Sequence, residues 1–294
     1  MILNAVNTGL IFAILGFGIF LSFRVLSFTD LTAEASFTLG AALAVQFIKL
    51  GLPHLALLMS FIGGAVAGFI TAFLHTKLKI DKVLSGILTL TAFYTINLLV
   101  TNFKPSLTLA KDEATIFVNN DDFITLYIML GIIALLIIGI YFFFRSRIGL
   151  SIRACGDNEV MMESNGVSSD LLKTLGLMLS NGLIALSGGL FMSYSRYYDS
   201  TFGTGMMVVG VATIIIGEIF NRKRHYMLTM LIGIVLGSII YRFIYLLVIQ
   251  VSGQPQYMKL FSALAIIIFL ILSRVKVIDK MQDYFRKRRE VKHG

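Results

Sequence analysis

The residues best suited to chemistry lie in one polar stretch near the middle of the chain. Residues 153–167, RACGDNEVMMESNGV, belong to a longer polar segment that spans 145–173. Carboxyl, amide and thiol groups gathered in an otherwise apolar chain are a candidate active site. Cys155 is the only cysteine, so no intrachain disulfide can form, and its basic, polar surroundings indicate a reduced cytosolic setting.

Sequence motifs of known catalytic chemistry are missing from the chain. It has no G-x-x-x-x-G-K-[ST] motif, so it cannot bind ATP through a P-loop of its own. It has no H-E-x-x-H motif, and its four histidines are dispersed. Gly156-Asp157 lies in a predicted loop, which argues against a membrane aspartyl protease. We therefore predict no catalytic residues, no metal site and no cofactor.

A second set of polar residues lies beside or inside the apolar segments, where polar groups are costly and are functional candidates. Asp30, Thr32 and Glu34 come where one apolar segment ends and the next begins, and Asn97 lies inside a third. We predict that these four residues line or gate a translocation pathway. The structural alternative is capping of a helix with favourable acidic charge for the first three and a hydrogen bond between helices for Asn97.

The composition of the chain indicates which kind of secondary structure must position these residues. The chain is 57% hydrophobic and 14% charged, with a mean hydropathy of +0.85, whereas a soluble domain is about 25% charged. Its apolar runs are long enough to cross a hydrocarbon core as helices. The first residues have no basic region and no cleavage site, so we expect the first run to be retained as a span.

These runs predict an all-α, polytopic transmembrane helical bundle of about nine spans. One membrane domain would occupy 1–274, and a basic amphipathic tail would follow at 275–294. The predicted spans are 4–23, 33–50, 53–76, 84–102, 123–144, 172–193, 206–220, 227–249 and 259–274.

The distribution of basic residues predicts the orientation. With the N-terminus outside and the C-terminus cytoplasmic, 19 of the 25 Lys and Arg residues fall on the cytoplasmic side. Segment 145–173 is then a cytoplasmic loop and 103–122 an external loop. The net charge of +9 follows from this rule, and the scattered basic residues form no nucleic-acid binding stripe.

The polar segment itself predicts one or two short helices across the loop. Asp157 or Asn158 can cap EVMMES, residues 165–166 can end it, and Ser168 can cap the next helix. Val160, Met161 and Met162 would then project apolar side chains from a charged surface, as a docking site does.

Six motifs, in order along nearly the whole chain, resemble one family. They are FTDLTAEASFTLGAA (28–42), LHTKLKI (74–80), LSGILTLTAFYTINL (84–98), GLSIRACGDNEVMMESNGV (149–167), GLMLSNGLIALSGGL (176–190) and YYDSTFGTGMMVVGVATIIIGE (197–218). The chain resembles the permease subunits of bacterial ABC importers of the branched-chain amino acid and ribose transporter class, especially the branch associated with tryptophan or undefined substrates. It departs from the usual pattern at Glu159, where proline is common, and at Ala35, where glycine is common.

This resemblance implies a permease in the bacterial cell membrane that is coupled to a separate ATPase. The matched coupling-loop residues are Arg153, Gly156, Asp157, Asn158, Met161 and Gly166, to which the docking pattern adds Met162. The implied partners are an ABC ATPase, an extracellular substrate-binding lipoprotein and a second permease chain, with membrane lipid around them and no nucleic acid.

The implied substrate is a small solute, with an aromatic or related amino acid as the family-level expectation and peptides, nucleosides and sugars as alternatives. A secondary transporter or channel driven by an ion gradient is the competing function. It would need an ionisable relay near the bilayer midplane, where the predicted spans offer few candidates.

Overall fold

The computed structural model describes residues 2–110, 113–115, 117, 122–220, 227–252, 264 and 267. Two compact units divide the chain, Met1–Ile244 and Tyr245–Gly294. The predicted ninth span lies outside the described residues except for Leu264 and Ile267, and the predicted tail, 275–294, lies entirely outside them. The proposed division into a membrane domain and a tail therefore stays a prediction.

Helices account for nearly all of the described chain, which confirms the all-α prediction. A π-helical turn, Phe20–Val25, continues the first helix. The α-helices are α1 Ile2–Ile19, α2 Thr32–Lys49, α3 Pro53–Thr76, α4 Lys82–Val100, α5 Asp122–Arg145, α6 Arg147–Asp157, α7 Glu159–Ser164, α8 Ser169–Ser195, α9 Met206–Phe220 and α10 Met227–Ser252.

Six segments of the described chain are long and apolar enough to cross a membrane. They are Ile2–Val25, Pro53–Thr76, Lys82–Val100, Asp122–Arg145, Ser169–Ser195 and Met227–Val248. Each coincides with a predicted span. The apolar part of α9, Met206–Ile219, is shorter, and α2 is not among the six. The count of nine spans and their orientation remain predictions.

Two short strands join the predicted external loop to the chain after α8. β1, Ser106–Thr108, pairs antiparallel with β2, Tyr197–Asp199, and Leu107 lies opposite Tyr198. The Tyr198 side chain is fully buried, and this burial raises its pKa to about 12. The pairing was not predicted, because three-residue strands leave no alternating pattern in the sequence.

Helices α1 and α8 form the centre of the unit Met1–Ile244. Within the most apolar stretch of α1 and its π turn, 89% of the residues are buried, and within the most apolar stretch of α8, 72% of the residues are buried. The corresponding stretches of α3, α4, α5 and α10 are only 22–33% buried, which leaves broad apolar faces for lipid. Gly64 and Gly68 of α3 pack against the Asn181 and Leu177 carbonyls of α8, a close approach of two membrane helices that small residues allow.

After α1 the chain reverses its direction at a point about halfway along α8, and this reversal positions the candidate site. Ser187 and Ser180 of α8 donate to the Ile11 and Gly18 carbonyl oxygens of α1, at 2.8 and 2.7 Å. After the π turn, α2 begins beside Asn181, near the middle of the 27 residues of α8. Since an α-helix rises 1.5 Å per residue, α2 starts about 20 Å from either end of α8.

Candidate functional site

Asp30 lies at the centre of a buried polar network at the start of α2. Its side chain is 1% exposed, and its Oδ1 accepts a 2.9 Å hydrogen bond from the Thr32 backbone N–H. Its Oδ2 accepts from Asn181 Nδ2 at 2.6 Å, and Asn181 Oδ1 accepts from Ser36 Oγ at 2.7 Å. These bonds join the α1–α2 turn, α2 and α8 at one point.

Thr32, the second predicted pathway residue, connects this network to α3. Its hydroxyl lies 2.7 Å from that of Thr71, which also donates to the Ala67 carbonyl oxygen at 3.2 Å. All three residues are fully buried. The network therefore holds three helices together through side chains and one backbone amide.

Glu34 and Asn97 lie outside the Asp30 network and join other helices to α2. Glu34 Oε1 accepts a 2.9 Å hydrogen bond from the backbone N–H of Gly205, the residue directly before α9. The Glu34 side chain of α2 therefore caps the N-terminus of α9. Asn97 Nδ2 of α4 donates to the Ala35 carbonyl oxygen at 3.3 Å. All four predicted pathway residues thus make contacts between helices or at helix starts, and a role in a pathway stays a prediction.

Asn181 is the residue of this site that the sequence interpretation missed. It is fully buried and bonds Asp30, Ser36 and the Leu177 carbonyl oxygen. A signal was present, because Asn181 is a polar residue inside the apolar motif GLMLSNGLIALSGGL. What the sequence does not contain is the register that brings residue 181 to residue 30.

The predicted coupling segment forms two short helices, α6 and α7, as expected. Asn158 caps α7, since its Oδ1 accepts from the Met161 N–H at 3.0 Å, and Asp157 is instead the last residue of α6. Gly166, with a φ of 76°, follows α7 in the left-handed conformation that glycine favours. Ser168 caps α8. The predicted caps are therefore confirmed.

The apolar side chains of α7 do not all face outward. Val160 and Met161 are 73% and 49% exposed, whereas Met162 is 8% exposed and belongs to the main core cluster with Cys155 and Leu172. The prediction that Met162 projects from the surface is wrong. Residues of a helix are separated by about 100°, so a helix lying on the protein must bury one side.

Arg153 and Asp157 of α6 line a cavity of about 150 Å³ at the end of the π turn. Arg24, Met227 and Met230 line it as well, and Arg24 Nε lies 3.0 Å from Glu218 Oε1 of α9. The predicted coupling residues therefore have different surroundings. Two border this cavity, while Met161 lies exposed on α7.

Gly156 places α6 directly against the π turn. A Cβ at this position would overlap the Val25 carbonyl oxygen, so only glycine allows this approach. We expect Gly156→Ala to displace α6 and lower the free energy of unfolding by about 1–3 kcal/mol. Gly139→Ala in α5 is the control, since a Cβ there meets nothing within 4 Å. Thermal unfolding in detergent should show a lower midpoint for the first variant alone, and equal midpoints would contradict the assignment.

The thiol in this segment packs as a core side chain. Cys155 is buried, and its burial raises the pKa of the thiol. A protonated, enclosed thiol is a poor nucleophile. The polar segment is therefore explained by two capped helices on a charged surface, and the candidate active site raised by its composition receives no support.

Comparisons with known proteins agree with this architecture. Residues 1–271 match the family described as the branched-chain amino acid transport system permease component. The tyrosine transport system permease protein of Clostridioides difficile is 32% identical, over 94% of this chain and 92% of its own length. The ribose import permease of Haemophilus influenzae is 23% identical, over 71% of this chain and 66% of its own length.

A solved structure shows the same fold at low sequence identity. PsaBC from Streptococcus pneumoniae, in complex with a Fab, superposes with a TM-score of 0.52 at 16% identity, over 91% of this chain and 88% of that chain. The family match spans nearly the whole chain and confirms the resemblance seen in the six motifs. The chain therefore belongs to the branched-chain amino acid transport system permease family, as a multi-pass, non-catalytic membrane component of an ABC importer whose family implies an ATPase and a substrate-binding protein as partners.

Proposed function

We propose that this permease forms the import pathway for an aromatic amino acid, with tyrosine as the first substrate to test. The observation that carries the proposal is the 32% identity with a tyrosine transport permease along nearly all of both chains. Because an external binding protein does much of the selecting in such importers, the permease pathway needs only to be compatible with the substrate.

The proposed assembly contains two copies of this chain, two ATPase chains and an external binding lipoprotein. The excess of basic residues in the predicted cytoplasmic loops supports an N-terminus outside and nine spans. The two copies would place the substrate pathway between them.

The proposed ATPase contact is the exposed surface of α7 formed by Val160 and Met161. Val160 is 73% exposed although it is apolar, and it lies among polar residues on a capped helix. Exposed apolar side chains on a polar surface mark a contact site, and the flexible Met161 can adapt to a partner that moves during each cycle. The position of this helix in the matched motif 149–167 supports the same assignment.

Uptake into proteoliposomes tests the proposed function. Vesicles containing the permease and its ATPase, supplied with the binding protein, are expected to accumulate radiolabelled tyrosine only when ATP is present on the ATPase side. Ribose and leucine serve as competitor controls, and excess ribose should leave tyrosine uptake unchanged. Accumulation by the isolated chain under a proton or sodium gradient would instead support the secondary transporter, which family membership argues against.

A further inference from the structure

Two polar contacts join α7 to the first two turns of α8. Lys173 Nζ of α8 donates to Glu159 Oε1 of α7, and Ser169 Oγ of α8 donates to Glu163 Oε1 of α7 at 2.5 Å. Each helix contributes residues four positions apart, so both contacts lie along one face of each helix. Buried Met162 is on α7 between the two glutamates in sequence.

The ion pair is more enclosed than an ordinary surface pair. The Lys173 side chain is 12% exposed and that of Glu159 is 40% exposed. The hydrogen bond from Lys173 lowers the pKa of Glu159, and Ser169 lowers it further. Removing one partner would leave the other charge partly buried without compensation, which is costly.

Helix α8 continues without a break from this ion pair to the buried network. Lys173 and Asn181 are eight residues apart on one helix, a distance of about 12 Å along its axis. Asn181 in turn bonds the Asp30 carboxylate at the start of α2. A displacement of α7 therefore has a continuous, hydrogen-bonded route to the middle of the membrane unit.

We propose that Glu159 and Lys173, with Glu163 and Ser169, are positioning residues that transmit the movement of α7 to α8 and to the Asp30 network. This inference rests on the proposed function, in which the ATPase moves α7 by binding Val160 and Met161. It gives a purpose to Glu159, which stands where proline is common in the family pattern. Proline there would place no carboxylate opposite Lys173.

The competing interpretation is that the pair only stabilises the cytoplasmic segment. The two interpretations differ in the ATP hydrolysed per tyrosine transported. A stabilising pair, when broken, reduces the amount of folded transporter but leaves that ratio unchanged for the molecules that remain. A transmitting pair, when broken, leaves ATPase binding intact and raises the ratio.

The experiment uses the complete transporter in proteoliposomes and compares Glu159→Lys, Lys173→Glu and the double exchange. Each single variant is expected to retain the ATPase on purification and to raise the ATP-to-tyrosine ratio about fivefold or more, since each places like charges together. The double exchange should return the ratio to within about twofold of wild type, because it restores an opposite pair. The milder variant Glu159→Gln, which removes the charge without reversing it, is used if a charge-reversal variant does not fold.

The matched control is the ion pair between Lys77 of the α3–α4 turn and Asp170 of α8. Lys77 Nζ lies 3.7 Å from Asp170 Oδ2, so this pair also joins the first turn of α8 to a neighbouring segment. Both of its side chains are more exposed than the Lys173 side chain. Lys77→Glu should leave the ratio at the wild-type value. An unchanged ratio in both Glu159 variants, an equal rise in the control, or no recovery in the double exchange would overturn the proposal. Loss of the ATPase from wild-type permease would instead overturn the proposed function on which it rests.

Discussion

Asp30→Ala is expected to abolish ATP-driven uptake and to lower the thermal unfolding midpoint of the permease. The substitution leaves the Thr32 backbone N–H and one N–H of the Asn181 amide without an acceptor in a fully buried site. Each unpaired buried donor costs about 1–3 kcal/mol, so we expect the two together to lower the free energy of unfolding by about 2–6 kcal/mol. The single buried thiol, Cys155, allows unfolding to be followed with a fluorogenic thiol reagent.

Asp81→Ala is the matched control for Asp30. Asp81 also stands at the start of a helix, where its Oδ1 accepts from the Val83 N–H at 2.9 Å, but it is exposed to solvent. Losing a cap at an exposed helix start costs about 1 kcal/mol. A midpoint shift for Asp30→Ala no larger than that of Asp81→Ala would show that burial of the network contributes nothing.

An exchange variant separates the Asp30–Asn181 bond from the capping role of Asp30. Asp30→Asn combined with Asn181→Asp keeps one carboxylate and one amide in contact, and the amide introduced at position 30 can still accept from the Thr32 N–H through its carbonyl oxygen. We expect this double variant to fold better than Asp30→Ala. Equal instability of both would show that the carboxyl group is needed at position 30 itself, at the start of α2.

Val160→Asp combined with Met161→Asp is expected to release the ATPase from the permease without unfolding it. Both side chains are exposed, so the folded chain should lose no more than about 0.5 kcal/mol per site. Two new carboxylates would be unfavourable in an apolar contact, where an unpaired charge is costly to bury. Purification through a tag on the permease should recover at least about tenfold less ATPase, which corresponds to about 1.4 kcal/mol.

Two single substitutions define the limits of this experiment. Leu78→Asp, at a 57% exposed apolar residue outside the coupling segment, should leave ATPase recovery unchanged. Met162→Asp should unfold the segment, because Met162 lies in the apolar core cluster, where a buried carboxylate is costly. Full recovery of the ATPase with the Val160 and Met161 double variant would show that α7 does not carry the contact.

The predicted coupling segment shows which structural features local sequence signals can determine. The caps at Asn158 and Ser168 and the stop at Gly166 were predictable, because each acts on backbone groups within three or four residues. The exposure of Val160 and Met161 followed from the same local pattern. The burial of Met162 did not, since it depends on which side of α7 faces the apolar core cluster that contains Cys155 and Leu172.

The predicted pathway residues show what local sequence signals cannot determine, which is the partner of each polar group. The sequence placed Asp30, Thr32, Glu34 and Asn97 as costly polar groups near the spans, which is a property of each residue. It did not assign their partners. The bond between Asp30 and Asn181 joins positions 151 apart, and the one between Glu34 and Gly205 joins positions 171 apart.

The order of residues by itself determines the membrane class, the helical architecture, the family and the capped helices of segment 145–173, because hydropathy, motif order and capping are local properties of the chain. Three further features became known only from the folded chain: α2 starts midway along α8, Asn181 completes the Asp30 network, and Glu159 meets Lys173. These features depend on the register between helices. Glycines set how closely the helices approach, and a shift of one residue turns a helix by about 100° and brings a different side chain into each contact.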